Sequence, residues 1–373
     1  MRAAVSVLLG VALLLAAGPR LRGEEAPALE LVTTLDMGED LAVIAAWSPD
    51  GRLLAYGTET EVSRKKYGVK TDTESYTYPS EVWVTDLVEK PKRILKRKSF
   101  RDVEGRIPSF SVTRLAWSPD GQKLAVELTD DEGESGVFLL TPEGKSVKLG
   151  SKGRNFLDGY GEGWLGDSES LGLLIEAVKP RLLHRVSLVR VSAGRELWLF
   201  REKTFAAVAW LPRAHKAVLV ERDKEFAEPP RLVLGDLEKG TVEDLGELSD
   251  GYLGGLQATP DETRVSYFVG QEKLAVRGLT KEGAVEHWPI PFSRYEWVGT
   301  NGFLLYIEPE KIGRRTGWLS LYDPAQQRKV RLLAEVPVFE FAVAPDGQRL
   351  AVLTAGEKPE LKVYRLTLPP SSP

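Results

Sequence analysis

The chain has 373 residues, of which 42% are hydrophobic and 28% charged, a composition typical of a globular protein. Lys and Arg number 50 against 54 Asp and Glu. This balance lacks the basic excess that general nucleic-acid binding requires, so we expect no nucleic-acid partner. The absence of cysteine excludes disulfides, thiolate metal sites and a cysteine nucleophile, and three histidines leave little room for a histidine metal centre.

The first 23 residues have the pattern of a secretory signal peptide. Arg2 supplies the positive start, an apolar run covers residues 5–17, and cleavage fits after Ala17 or Gly23. The run is shorter than the roughly 20 residues that a membrane-spanning helix needs. We therefore predict a cleaved signal peptide (1–23) and a periplasmic or secreted mature protein that does not insert into the membrane.

Four segments farther along the chain share one pattern: a short apolar strand, a Ser/Thr/Ala-Pro-Asp turn and a second apolar strand. Proline presets the turn, aspartate accepts hydrogen bonds from the local backbone, and glycine takes a positive φ. The apolar residues alternate with the period of a strand. The segments are residues 44–58, 114–129, 256–270 and 341–355.

Three weaker copies appear when the segments are aligned three residues before the turn aspartate. Most positions of that column are tryptophans, and the period is about 46 residues, which matches a four-stranded propeller blade. The first interval is longer, and residues 58–80 account for the excess as an insertion. The column consists of Trp47, Trp117, Trp164, Trp210, Ala258, Trp297 and Val343.

The repeat predicts an all-β fold: a β-propeller of four-stranded blades, seven in number, with six or eight as alternatives. The last copy ends at its third strand, and residues 29–35 are predicted to supply its outer strand. Pairing the two ends of the chain in one blade would remove a free sheet edge. Residues 24–373 then form a single domain, with 369–373 as a disordered tail.

The repeated turns resemble those of the TolB-like, or PD40, WD40-like propellers of bacterial envelope proteins. The residues that carry the likeness are those following Trp47 (Ser-Pro-Asp-Gly-Arg-Leu-Leu-Ala), Trp117 (Ser-Pro-Asp-Gly-Gln-Lys-Leu-Ala) and Val343 (Ala-Pro-Asp-Gly-Gln-Arg-Leu-Ala). The resemblance implies a propeller fold and an envelope setting. TolB itself has six blades, and we expect no room here for the α/β domain that precedes its propeller.

Two sets of repeated residues have structural explanations. The aspartates of the turns (Asp50, Asp120, Asp261 and Asp346) are expected to bind their own turn rather than a metal. The tryptophans are expected to fill the space between blades rather than to stack on a ligand.

Five polar residues interrupt the small residues expected on the crowded inner strands. Strand alternation places them on one side, so they are candidates for lining the central channel. There they would bind a charged group or form an internal ion-pair network, and we favour the network. They are Arg114, Gln257, Arg294, Glu296 and Glu340.

The loops opposite the Pro-Asp turns carry basic and aromatic residues of the kind that anchor protein interfaces. These candidate binding residues are Arg64, Lys65, Lys66, Tyr67, Tyr76, Tyr78, Arg101, Arg106, Asn155 and Tyr160. A solvated loop without a partner is the alternative interpretation of the 58–80 insertion.

The preferred function is an exported, non-catalytic propeller that binds an envelope or secreted protein or peptide, as a monomer or within a hetero-complex. We predict no catalytic residues, no metal site and no cofactor. The alternative is a lyase-like or lactonase-like propeller enzyme acting on a carbohydrate or small molecule with a metal at the channel mouth. The three histidines fall in different blades, and no Gly-x-Ser-x-Gly motif occurs.

Overall fold

The protein was examined as a computed structural model, which describes part of the chain. The described residues are 26–37, 40–60, 62–63, 76–77, 80–96, 110–130, 135–149, 154–155, 163–176, 184–192, 195–223, 228–248, 251–281, 283–299, 302–311, 314, 316–356 and 359–368. These residues form strands and turns and include no helix, as the repeat predicts.

The strands follow one another with short connections. In chain order they are β1 (Ala28–Leu35), β2 (Leu41–Trp47), β3 (Leu54–Glu59), β4 (Val62–Ser63), β5 (Tyr76–Thr77), β6 (Ser80–Thr85), β7 (Lys92–Leu95), β8 (Phe110–Trp117), β9 (Leu124–Asp130), β10 (Ser135–Leu140), β11 (Ser146–Leu149), β12 (Arg154–Asn155), β13 (Ser170–Glu176), β14 (His184–Arg190), β15 (Arg195–Leu199), β16 (Phe205–Leu211), β17 (Lys216–Glu221), β18 (Arg231–Asp236), β19 (Thr241–Glu247), β20 (Tyr252–Ala258), β21 (Arg264–Val269), β22 (Lys273–Gly278), β23 (Val285–Trp288), β24 (Tyr295–Val298), β25 (Phe303–Pro309), β26 (Gly317–Asp323), β27 (Arg328–Val343), β28 (Arg349–Thr354) and β29 (Leu361–Thr367).

In the described residues these strands pair into seven successive antiparallel sheets, numbered here 1 to 7. Sheets 1, 2, 4 and 5 are β2-β3-β6-β7, β8-β9-β10-β11, β16-β17-β18-β19 and β20-β21-β22-β23. Sheet 3 contains β12, β13, β14 and β15. Sheet 6 is β24-β25-β26 with the first half of β27, and sheet 7 is the second half of β27 with β28, β29 and β1. Strand β27 therefore serves as the outer strand of one sheet and the inner strand of the next.

Sheet 7 joins the two ends of the propeller. Strand β1 pairs antiparallel with β29, from Ala28 opposite Thr367 to Leu35 opposite Leu361, with one register shift between Leu31 and Thr33. The predicted closure by residues 29–35 is confirmed. It covers the edge of β29, which would otherwise expose unpaired backbone groups.

Apolar cores lie between neighbouring sheets rather than at a single centre. Each core combines buried side chains of two successive sheets, for example Val82 with Trp117 between sheets 1 and 2. One such cluster exists at every junction in the described residues. The cluster that contains Trp47, Tyr56, Ala351 and Val363 joins sheet 7 to sheet 1 and so closes the ring.

The turn after each strong inner strand is held by its own aspartate. Asp50 accepts hydrogen bonds from the Ser48 hydroxyl at 2.7 Å and the Arg52 amide at 3.0 Å, and Gly51 takes a φ of 66°. The backbone hydrogen bond from Arg52 and then the Ser48 hydroxyl lower the pKa of Asp50. Asp120 repeats these contacts with Ser118 and Gln122. These aspartates act in turn geometry.

Three tryptophans of the repeat are hydrogen-bonded to the inner strand of the preceding sheet. Trp47, Trp117 and Trp164 donate hydrogen bonds through Nε1 to the carbonyl oxygens of Ala342, Ala46 and Ala116 at 3.0 to 3.1 Å. Each acceptor lies one position before the column residue of the preceding sheet. The column thus combines packing with a repeated hydrogen bond between sheets.

Sheet 3 and the insertion are described only in part. On the inner side of sheet 3, the described residues show β12 opposite Leu174 and Ile175 and a bridge from Trp164 to Leu171. Within the 58–80 insertion, β4 and β5 pair as a short ribbon.

Candidate functional site

The ring has two sides that differ in chemistry. Inner strands end on one side in the aspartate turns, and we call this the turn side. They begin on the other, the entry side, where the chain arrives from the preceding sheet. On the turn side, neighbouring turns also bind each other: Glu262 accepts hydrogen bonds from the amides of Arg213 and Ala214, both at 3.1 Å, and Ser168 accepts one from the amide of Asp120 at 3.0 Å. Many polar groups on the turn side are therefore already hydrogen-bonded to other residues of the protein.

Four large apolar side chains are exposed where inner strands begin. Leu41, Leu253, Phe292 and Val336 are 46, 47, 44 and 37% exposed. They belong to sheets 1, 5, 6 and 7, which are consecutive in the closed ring. We call these four residues the entry arc. The other large exposed apolar side chains of the described residues lie on outer strands or in a turn before one: Leu31, Val32, Val88, Leu197, Trp198 and Val285.

Phe292 of the entry arc is fixed on a buried aromatic ring. The Phe292 ring packs edge-on against buried Phe268, with ring centres 5.0 Å apart, and the Phe292 amide donates to the Gln271 carbonyl at 2.9 Å. Phe268 lies opposite Gly254, the neighbour of Leu253 in β20. Leu253 is the residue skipped by the register shift between Tyr252 and Gly254, and it stands 47% exposed at the start of the neighbouring inner strand. Exposed apolar groups held on a rigid base are a common feature of binding surfaces.

A polar network lies on the inner strands next to this arc. Arg294 Nε donates to Glu340 Oε1 at 2.7 Å, Arg294 Nη1 donates to the Tyr295 carbonyl at 3.0 Å, and Arg294 Nη2 donates to Glu296 Oε1. Gln257 Nε2 donates to the same Tyr295 carbonyl at 2.9 Å. The network joins sheets 5, 6 and 7.

Backbone amides complete the coordination of the two carboxylates. Glu296 Oε2 accepts from the Val343 amide at 2.9 Å, and Glu340 Oε1 accepts from the Phe341 amide at 3.0 Å. The Arg294 guanidinium also lies 5.5 Å from the centre of the Phe341 ring. These contacts have the character of the internal ion-pair network that we favoured from the sequence, and they fix β24 against β27.

The carboxyl groups of the network outnumber its basic groups. Burial raises the pKa of Glu296; Arg294 and the Val343 amide oppose the rise, and the charge of Glu340 adds to it. One guanidinium is shared by two carboxylates. The arrangement can hold a cationic group from outside more readily than an anionic one.

Of the five candidate channel residues, four are thus joined by hydrogen bonds to each other or to one shared carbonyl. The fifth, Arg114, lies on β8 opposite Glu127 in the strand register. Their role toward a ligand stays a prediction.

Only two of the ten candidate loop residues fall on described strands. Tyr76 lies on β5 opposite Ser63, and Asn155 lies on β12 opposite Leu174. The others lie outside the described residues: Arg64, Lys65, Lys66, Tyr67, Tyr78, Arg101, Arg106 and Tyr160.

Sequence reasoning did not single out the entry arc. The available signal was an apolar residue just before an inner strand, as in Pro-Ile-Pro-Phe-Ser-Arg at 289–294, where neither alternation nor a turn motif accounts for Phe292. Apolar residues are common enough at the surface that one alone carries no meaning. Only the ring closure places the four together.

Two further features of the described residues concern metal binding and membrane insertion. Groups of three or more His, Asp or Glu side chains suited to hold a metal ion do not occur in the part of the chain that the structure describes. Nor do those residues contain a helix long and apolar enough to cross a membrane.

The fold has a counterpart among solved structures. The chain is similar to the C-terminal WD40 domain of Sif2, with a TM-score of 0.54 and 14% sequence identity, over 92% of this chain and 100% of that domain. At this identity the likeness shows the fold, a WD40-like β-propeller. No protein-family model and no curated protein sequence matches the chain.

Proposed function

We propose that this protein is an exported, non-catalytic propeller that binds a protein partner in the bacterial cell envelope through the entry side of its ring. The WD40-like fold supports an interaction module, since such propellers present a rigid rim to partners. The signal-peptide pattern of residues 1–23 and the TolB-like repeats support export and an envelope setting.

The entry arc is the observation that carries this proposal. Its four apolar side chains come from consecutive sheets, and Phe292 rests on the buried ring of Phe268. Burying such groups against a partner releases roughly 25 cal/mol for each Å² of apolar surface removed from water. The turn side offers less, because many of its polar groups already bind neighbouring turns. The predicted loop residues of the 58–80 insertion would extend the same surface.

Affinity capture tests the proposal. Mature protein (24–373) is incubated with an envelope extract of its own source, and retained proteins are identified by mass spectrometry. The test variant is Leu253→Asp with Phe292→Asp. The matched control is Val88→Asp with Leu197→Asp, which places the same charges at exposed apolar positions away from the entry side.

A partner retained by the wild type and the control but lost by the test variant supports the proposal. A partner retained equally by all three overturns the assignment to the entry arc. A further variant lacking 58–80 reports whether the insertion takes part. Thermal melting of every variant establishes that a loss of binding does not come from unfolding.

Export is tested separately. Full-length protein is expressed in a bacterial host, and its mass and location are measured after osmotic release of the periplasm. A soluble periplasmic product shortened by 17 or 23 residues supports export. An uncleaved cytoplasmic product overturns it.

A further inference from the structure

We infer that the entry side receives an extended protein segment in which apolar side chains flank a lysine or arginine, and that the basic group is directed toward Glu340. This inference rests on the proposed function and adds the chemistry of the partner.

The first step concerns the hydrogen bonds of the Arg294 guanidinium. Each of its three guanidinium nitrogens already donates to an acceptor within the network: Glu340, the Tyr295 carbonyl and Glu296. The guanidinium is therefore committed to the fold. In contrast, the hydrogen bonds found at Glu340 in the described residues use Oε1. The side chain of Glu340 is about a fifth exposed.

The second step is the charge of the surroundings. The described residues that lead into the inner strands of sheets 5, 6, 7 and 1 are 251–253, 289–294, 334–340, 36–37 and 40–41. Their ionisable side chains are four carboxylates and one guanidinium: Asp36, Asp40, Glu335, Glu340 and Arg294. Glu296, on β24, adds a further carboxyl group beside Arg294. In these segments the carboxyl groups outnumber the basic groups, which favours a basic partner there over an acidic one.

The third step is the order of the apolar and charged residues along the chain. Phe292 precedes Arg294 by two residues, and Val336 precedes Glu340 by four. The apolar rim therefore lies on the chain segments that lead directly to the Arg294–Glu340 ion pair. Lysine and arginine have long apolar stems that bury against such a rim while the charged end reaches deeper. A segment of alternating apolar and basic residues would place apolar side chains at the rim and a charged group near Glu340.

Selection from a displayed library of random seven-residue peptides tests the inference. The library is passed over immobilised wild-type protein, the Phe292→Asp variant and the Val88→Asp control. We expect peptides retained by wild type and control to be enriched in a single Lys or Arg with apolar neighbours. Enrichment of acidic or uncharged sequences, or no enrichment, overturns the inference.

The strongest selected peptide is then synthesised with its basic residue and with norleucine in that place. Glu340→Gln is expected to weaken binding of the basic peptide about tenfold and to leave the norleucine peptide unchanged. Equal affinities of wild type and Glu340→Gln for the basic peptide overturn the role of Glu340. Since Glu340→Gln also removes a partner of Arg294, the exposed Glu335→Gln is measured beside it and should weaken the basic peptide less than threefold.

The two proposals fail in different ways. If selected peptides depend on Phe292 but carry no basic residue, the inference fails and the proposed function survives. If envelope capture is insensitive to Leu253 and Phe292, the entry arc is not the binding surface, whatever the peptides show.

Discussion

The indole Nε1 of Trp117 donates a hydrogen bond of 3.1 Å to the carbonyl oxygen of Ala46, which lies 71 residues earlier in the chain and one sheet away. Trp47 and Trp164 make the same contact with the sheets that precede theirs. A residue repeated about every 46 positions thereby joins neighbouring sheets by the same hydrogen bond at three junctions of the ring.

The hydrogen bond of Trp117 predicts that two tryptophan substitutions lower the free energy of unfolding by different amounts. Trp117→Phe retains much of the ring volume but leaves the Ala46 carbonyl without its donor, and should lower the free energy of unfolding by about 2 kcal/mol. Trp198→Phe, at a more exposed ring on β15, should change it by less than about 0.5 kcal/mol. Urea unfolding of both variants measures the difference. Equal losses would contradict the role of the hydrogen bond.

A second prediction concerns Glu262, which occupies the glycine position of its turn with a φ of 59°. Its carboxylate binds the Arg213 and Ala214 amides and the Arg213 side chain at 3.2 Å. Glu262→Gly removes these bonds but relieves the left-handed strain, whereas Glu262→Ala removes the bonds and keeps the strain. The alanine variant should therefore be about 1 kcal/mol less stable than the glycine variant.

Gly121→Ala is the control for the backbone contribution. Gly121 has a φ of 69°, and an added Cβ would meet little besides the Pro49 ring at 3.9 Å. The stability lost in Gly121→Ala should come from the positive φ alone. It should match the difference in stability between Glu262→Ala and Glu262→Gly. A Glu262→Gly variant more stable than wild type would show that the contacts with Arg213 and Ala214 are worth less than the strain.

The polar network predicts a pH dependence of stability. Burial raises the pKa of Glu296, so its ionised form is less favourable in the folded than in the unfolded protein. Below the unfolded pKa, near 4.3, the group is protonated in both states and imposes no penalty. As pH rises through the folded pKa, wild type loses stability that Glu296→Gln retains. The melting temperature of Glu296→Gln minus that of wild type should increase from pH 4.5 to 7.5; a decrease would contradict the assignment.

Closure of the ring predicts the effect of removing β1. A mature protein starting at residue 36 lacks the strand that pairs with β29 from Ala28 to Leu35. Losing that ladder should cost on the order of 5 kcal/mol, at about 1 kcal/mol for each hydrogen bond. A protein starting at residue 28 is the control and should melt like the mature form. A synthetic peptide of residues 26–37 should restore part of the lost stability; equal melting of both truncated proteins would contradict the closure.

Much of the fold could be predicted from the sequence because its signals are local. The Pro-Asp-Gly turns set the hairpins, and Asp50 and Asp120 bind their own turns as their residue types require. Closure by residues 29–35 followed from counting strands. Strand β27 is different: it runs from Arg328 to Val343 and serves two sheets, which a repeat of separate four-stranded units does not reveal.

The candidate site could be predicted only in part. Gln257, Arg294, Glu296 and Glu340 stood out as polar residues among small ones, but their connection passes through the carbonyl of Tyr295, and a side-chain pattern carries no information on that atom. Register shifts add to the difficulty: the one between Gly254 and Gln257 interrupts the alternation used to assign faces in β20. The entry arc depends on which sheets become neighbours when the ring closes.

The central claim is that a protein partner binds the entry side of the ring, and hydrogen exchange tests it most directly. Mature protein is exchanged with and without its captured partner, and amide protection is measured by mass spectrometry. We expect the partner to increase amide protection in residues 251–254, 289–294 and 334–337. Protection should not change in the turns at 49–52, 119–122 and 260–263. Protection confined to those turns, or to outer strands such as β15, would contradict it.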